Sequence, residues 1–197
     1  TGGCNLKCPY CHSRDLVYLK ENMYPIVTEK INEYLESHRK DLDGIYISGG
    51  EPLMHEGVVS FLQYAKTLNY KIKIHTNGMF YERLKTILAQ KLVDHVSLDI
   101  KNAPSAYAKT CGVEDMDLKD IEKSLDLLKR SAVPYDICVT LVDELHNQAT
   151  IEELGQWIQG VDTVILQPFE DSETTIDHSL HRPSFEVVLK YKNIFEK

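Results

Sequence analysis

The 197-residue chain is short of positive charge: 22 Lys and Arg stand against 30 Asp and Glu, a formal net charge of −8. A nucleic-acid partner would need a basic footprint to neutralise phosphates, so that class is excluded. Long uncharged apolar runs are also missing. None approaches the roughly 18 residues of a membrane-spanning helix, and no membrane partner is expected. No internal repeat, low-complexity tract or Pro/Gly-rich linker marks a second domain, so residues 1–197 are expected to form one unit. At 43% hydrophobic and 26% charged residues, the composition excludes disorder. A signal peptide is not visible. The chain opens at Thr1 and not at Met, and a longer native chain is expected.

An even set of cysteines is lacking too. There are five, and three of them (Cys4, Cys8 and Cys11) fall within eight residues. That excludes a secreted disulfide scaffold and points to a metal site in a reducing, cytoplasmic setting. Cys111 and Cys138 are scattered. Cys138 lies in the apolar run Tyr135–Val142 and is expected to be a small buried hydrophobe.

What is present is a regular alternation. Short β-branched runs at Ile45–Ser48, Lys71–Thr76, His95–Ile100, Tyr135–Val142 and Thr163–Gln167 predict strands. Between them lie helical stripes: Val58, Phe61, Leu62 and Ala65, then Leu84, Ile87, Leu88 and Leu92. Two more follow, Leu118, Ile121, Leu125 and Leu128, then Ile151, Leu154, Trp157 and Ile158. An earlier helix is expected after Pro25, carrying Val27, Ile31 and Leu35, and a last one after Pro183. The fold class is therefore α/β. Eight βα units would need about 240 residues and six about 180, so a partial (β/α)6-type parallel barrel fits, its first strand lying before Thr1. The expected layout is a cysteine loop at 1–16, βα units over about 25–182 and a terminal helix at about 183–196.

In such folds chemistry gathers at the carboxyl ends of the strands. The turns there are Ser48-Gly49-Gly50-Glu51-Pro52, Thr76-Asn77-Gly78, Asp99-Ile100-Lys101, Asp143-Glu144-Leu145-His146 and Gln167-Pro168-Phe169. Polar, glycine-bearing turns on one rim predict a shared ligand pocket. The cysteine loop has the spacing C-x3-C-x2-C. Its three thiolates could hold three corners of a cubane iron–sulfur cluster. The alternative is a structural zinc, which prefers a closed tetrahedron from two separated ligand pairs; His12, adjacent to Cys11, is a poor fourth ligand.

Cys4-x3-Cys8-x2-Cys11, with Tyr10 before the last cysteine and Gly49-Gly50-Glu51-Pro52 after the next strand, resembles the radical S-adenosylmethionine (SAM) superfamily. The run Gly3–His12, with Thr76-Asn77-Gly78 and Asp99-Ile100-Lys101, is similar to the glycyl-radical-enzyme activases. Within these the nearest branch is the activators of anaerobic ribonucleoside-triphosphate reductase, beside pyruvate formate-lyase activating enzyme. The resemblance implies a [4Fe–4S] cluster on Cys4, Cys8 and Cys11, with the SAM amino and carboxylate groups on the fourth iron. It further implies reductive cleavage to a 5′-deoxyadenosyl radical, which takes a Cα hydrogen from a glycine of a partner, the anaerobic ribonucleotide reductase. The cofactor carries that chemistry and the protein orients it.

The resemblance also assigns roles. Gly49 and Gly50 would let backbone approach the methionine amine. Pro52 would hold Glu51 extended, with its carboxylate near a cationic amine or sulfonium. Lys101 would take the methionine carboxylate, and Asp99 would hold Lys101 or the nearby polar network. Tyr10 would lie by the adenine, His146 by the ribose hydroxyls, and Thr76 and Asn77 would complete the cofactor site. One departure stands out. His75 occupies the place of an acidic residue common before Thr-Asn-Gly, so the monovalent-cation site of those relatives is not expected.

Residues 1–20 hold Lys7, Arg14 and Lys20 against Asp15, a local +2, while 141–181 hold nine acids and no Lys or Arg. A basic cluster end would suit an acidic electron donor such as a flavodoxin. Two other functions stay open: SAM chemistry on another peptide or small molecule, and a non-catalytic iron–sulfur or zinc module.

Overall fold

The computed structural model of the chain describes residues 1–21 and 23–196. Five strands form one sheet in the order β1-β2-β3-β4-β5, every neighbouring pair parallel. They are β1 Gly44–Ile47, β2 Lys71–Thr76, β3 His95–Asp99, β4 Tyr135–Leu141 and β5 Val164–Pro168. Each crossover carries a helix: α3 Val58–Thr67, α4 Tyr81–Ala89, α6 Lys119–Lys129 and α7 Gln148–Trp157. Strands paired in chain order through crossovers of one hand place all these helices on one face of the sheet. That is the layout of a barrel left open, as expected for the fold class. Before and after it lie α1 Arg14–Tyr18, α2 Thr28–Ser37 and α8 Phe185–Phe195, with a short α5 Tyr107–Thr110 between β3 and α6.

Alternation along the strands separates the two faces. Ile47, Ile72, Ile74, Val96, Leu98, Ile137, Val139 and Leu141 are buried against the helices. They meet Leu62 and Ala65 of α3, Leu84 and Ile87 of α4, Ile121, Leu125 and Leu128 of α6, and Ile151 and Leu154 of α7. The opposite, concave face carries Tyr46, Lys73, His75, His95, Asp99, Asp136, Cys138 and Thr140. A closed barrel would fill this space with branched apolar side chains. Here it stays polar and open.

Local chemistry explains the element ends. Asn147 caps α7 in a reciprocal pair with Thr150, and Ser184 caps α8 through Val187 N–H. Asn69 and Lys91 adopt left-handed backbone just past α3 and α4. The predicted strands shift by a residue at several ends, and Ser48, Ile100, Val142 and Thr163 fall outside them. The helix expected after Pro25 begins later, at Thr28, with Val27 as its cap, and Pro183 precedes the Ser184 cap. The cysteine loop ends at Ser13, where α1 starts. Neither α1 nor α5 is legible from the sequence, because one or two turns are too short to show a stripe.

Candidate active site

The carboxyl ends of the strands and the cysteine loop enclose a cavity of about 740 Å³. Three backbone bonds lace the loop to the end of β1. Thr1 N donates to Ser48 O at 2.6 Å, Gly50 N to Thr1 O at 2.8 Å and Glu51 N to Gly3 O at 2.8 Å. On the other side, the segment after β5 clamps the loop. Ile176 N donates to Cys11 O at 3.0 Å, Asp177 N to Pro9 O at 2.9 Å and Thr174 Oγ1 to His12 O at 2.5 Å. No periodicity or motif in residues 170–177 signals this clamp.

Cys4, Cys8 and Cys11 all face the cavity. Leu6 N–H donates to Cys4 Sγ and Ser13 N–H to Cys11 Sγ, each at 3.4 Å. Burial pushes both of these thiols up against that help. Cys8 differs. Its thiol is held down to about 7, first by the neighbouring Cys111 thiol, against burial, and with help from the Lys101 ammonium.

A charged chain crosses the floor of the cavity. Tyr46 OH meets His75 Nδ1 at 2.6 Å, His75 Nε2 meets Asp99 Oδ1 at 2.6 Å, and Lys101 Nζ donates to Asp99 Oδ2 at 2.7 Å. Burial works against the Asp99 carboxylate. The Lys101 ammonium and the His75 bond outweigh it and hold the carboxyl far below its ordinary range. Burial likewise opposes the Lys101 charge, and Asp99 overcomes it and raises the ammonium. His75, Asp99 and Cys138 offer ligand atoms within 4.8 Å of one another. Both Asp99 oxygens are engaged, Oδ1 by His75 and Oδ2 by Lys101.

Glu51, Thr76 and Asn77 form a buried staple beside it. Glu51 Oε1 accepts from Leu53 N at 2.9 Å and Thr76 Oγ1 at 2.7 Å, and Oε2 accepts from Asn77 N at 2.8 Å. Burial raises this carboxyl despite the three donors. Asn77 Nδ2 reaches Asn5 Oδ1 at 2.8 Å and so ties the staple to the cysteine loop.

Several sequence expectations change here. Gly49 and Gly50 line the cavity, but their lack of a side chain is required by the chain itself. Gly49 has φ +122, and a Cβ on either residue would overlap the backbone of Thr1 or Gly3. Glu51 lines the cavity with its carboxylate largely engaged by its own chain. Tyr10 also borders the cavity, yet only 5% of it is exposed and its hydroxyl is buried without a partner, close to Cys8 and Lys101. His146 does not reach the cavity. The ring is 4% exposed, with Nδ1 on the Val142 backbone and Nε2 on Lys101 O at 3.0 Å, so neither nitrogen is free for a ribose. The turn Asp143–His146 therefore props Lys101 from behind, and Thr140 represents β4 on the rim. Cys138 is half-buried on the concave face and not in the apolar layer.

The donor set fits a cubane cluster. Three thiols open on one cavity with no fourth cysteine among the described residues lining it, and a buried ammonium stands nearby to receive a carboxylate. A single zinc ion needs its ligand atoms gathered around one point, and among the described residues the three loop thiols form no such group within 4.8 Å of one another.

The Radical SAM superfamily model matches residues 1–158. A Methanocaldococcus jannaschii protein that carries the provisional name glycyl-radical enzyme activating enzyme is 31% identical over 175 residues, covering 87% of this chain and 71% of its own. The GTP 3′,8-cyclase of Alkaliphilus oremlandii is 26% identical over 157 residues, which are 78% of this chain but 48% of the cyclase, so the chain spans under half of that relative. A domain of pyruvate-formate lyase-activating enzyme from Bacteroides vulgatus superposes with a TM-score of 0.61 at 18% identity, over 78% of this chain and 92% of its own. Streptococcus suis SuiB bound to S-adenosylmethionine gives 0.75 at 16% identity, over 98% of this chain and 44% of SuiB. These two likenesses concern the fold alone. With the family model spanning most of its length, and with the three thiols, the glycine turn and the Asp99–Lys101 pair on one rim, the chain belongs to the radical SAM superfamily.

Proposed function

We propose that the chain is a radical SAM activase that generates a glycyl radical in a partner enzyme, the anaerobic ribonucleoside-triphosphate reductase. The observation that carries this reading is the shared cavity, where three thiols and a buried Lys101 ammonium converge. The similarity over 71% of a relative named for glycyl-radical activation supports the choice of target. Cys4, Cys8 and Cys11 would hold the [4Fe–4S] cluster, which, with SAM bound, supplies the electron for reductive cleavage and hence the radical that takes a glycine Cα hydrogen.

The chain's own residues bind and orient. Lys101, held charged by Asp99 and backed by His146, receives the methionine carboxylate. His75 extends the pair by bonding the Asp99 carboxylate, and Tyr46 holds His75 from its other nitrogen. The Glu51–Thr76–Asn77 staple holds the turns that border the cofactor. The open concave face leaves room for a glycine-bearing strand of the partner to enter from the side. Residues 1–197 would act as one radical SAM domain in the cytoplasm, and the basic loop would receive an electron from an acidic flavodoxin. No helix among the described residues is long and apolar enough to cross a membrane.

The test is anaerobic reconstitution followed by co-incubation with the reductase, SAM and a reductant. A glycyl-radical resonance in the reductase with 5′-deoxyadenosine release supports the reading. Deoxyadenosine without a protein radical moves the chain to another target. The similarity to GTP 3′,8-cyclase supplies the second reading, a small nucleotide substrate, to be tried in the same assay.

A further inference from the structure

The two ends of the cysteine loop are held by different partners. The Cys8 and Cys11 end is held by the segment after β5, through Ile176 N, Asp177 N and Thr174 Oγ1. At the Cys4 end, two side chains from separate turns close on the loop from either side. His55 Nε2 donates to Gly2 O at 2.7 Å, two residues before Cys4. Asn5 Oδ1, one residue after Cys4, accepts from Asn77 Nδ2 at 2.8 Å. Between them Glu51 N donates to Gly3 O at 2.8 Å.

Both clasps start from fixed ground. His55 follows the one-turn helix Pro52–Met54, where Leu53 is fully buried and its carbonyl accepts from the Arg83 guanidinium. A carbonyl oxygen can only accept, so His55 Nε2 carries a proton. Asn77 is buried, with its backbone N on Glu51 Oε2 and its Oδ1 on Met79 N, which leaves Nδ2 for the loop. Asn5 Nδ2 points to the Met79 sulfur, so its Oδ1 is the atom turned to Asn77. Neither His55 nor Asn5 lines the cavity, so both act on the loop and not on a bound molecule.

We propose that His55 and Asn5 are positioning residues for Cys4: two side-chain clasps that fix the Cys4 end of the loop against the turns after β1 and β2. The consequence for iron rests on the reading of Cys4, Cys8 and Cys11 as cluster ligands. A loop without its own helix or strand has many conformations open to it, and each bond across segments removes some of them. Outer partners that orient a metal ligand are worth about 10- to 100-fold in affinity.

The experiment pairs a variant that removes each clasp with one that keeps it. His55→Phe keeps a ring and removes the donor; His55→Gln keeps a donor. Asn5→Leu removes the acceptor; Asn5→Asp keeps one. Hydrogen exchange on the full chain without iron reads the loop directly, and iron retained against a chelator after anaerobic reconstitution reads the site. In His55→Phe and Asn5→Leu the amides of Gly3, Leu6 and Glu51 should exchange about 3- to 10-fold faster, the equivalent of one hydrogen bond. Those of Ile176 and Asp177 should keep the parent rate. Iron affinity should fall about 10-fold in the same two variants. His55→Gln and Asn5→Asp should match the parent in both measurements. Parent rates in His55→Phe and Asn5→Leu, equal losses in the conservative variants, or acceleration spread to Ile176 and Asp177 would overturn the inference. Faster exchange with parent iron affinity would overturn it too, because Cys4 would then not depend on the clasps. Asn5 is exposed, so Asn5→Leu keeps the test open if His55→Phe does not fold. A parent chain that takes up no iron refutes the ligand assignment instead, and the exchange rates still decide the clasps.

Discussion

The carbonyl oxygen of Gly3 occupies the space where a side chain on Gly50 would begin, and it accepts the Glu51 amide at 2.8 Å. Through this contact the glycine turn after β1 seats the cysteine loop and sets where Cys4 faces the cavity. The glycines here serve the chain's own packing first, and the cofactor only through the loop they admit.

Gly50→Ala is therefore expected to unseat the loop, costing about 1–3 kcal/mol by overpacking and lowering iron uptake on reconstitution. Gly57→Ala makes the control, since a Cβ there meets nothing within 4 Å. It should change stability by no more than about 0.5 kcal/mol. Thermal melts and iron analysis compare the two, and equal behaviour would remove the packing argument.

Each of Cys4→Ala, Cys8→Ala and Cys11→Ala should abolish the cluster and with it SAM cleavage. Cys138→Ala should take up a full iron complement, because its thiol is pushed up to about 12 by burial and by the Asp99 charge and does not line the cavity. Iron and sulfide analysis with 5′-deoxyadenosine measurement checks all four. A cluster that survives loss of Cys8 would contradict the assignment.

Lys101→Met should weaken SAM binding about 10- to 100-fold, the equivalent of one charge-assisted hydrogen bond of about 1.5–3 kcal/mol. Isothermal titration of the reconstituted, reductant-free protein measures it. Unaltered affinity would place the methionine carboxylate elsewhere.

His146 supplies a pH signature. Burial holds its imidazole below the ordinary value of 6.5, against the two backbone bonds that favour the charged form. The unfolded chain therefore binds the proton more readily, and folding stability falls as pH drops through about 6.5. His146→Gln should be less stable at neutral pH and should lack that part of the acid-side loss. Denaturant unfolding of both chains between about pH 7.5 and 5.5 tests it, with parallel curves counting against the buried neutral ring.

Much of the fold was legible because it rests on local periodicity. The five strands and the principal helices follow from runs and stripes such as Lys71–Thr76 and Ile121, Leu125 and Leu128, whose side-chain period is set by the backbone geometry of one element. The cysteine spacing and the rim turns were legible for the same reason, since Cys4, Cys8 and Cys11 share one short loop.

Contacts between distant segments were decided only in three dimensions. The sequence by itself determined the parallel α/β plan and the three clustered thiols. Tertiary structure turned His146 away from the rim, bound Glu51 to Thr76 and Asn77, and joined Tyr46, His75, Asp99 and Lys101 in one chain. The reason is physical: a side chain's partners depend on which segments the sheet register and the crossovers bring together, and no period within one element encodes that distance.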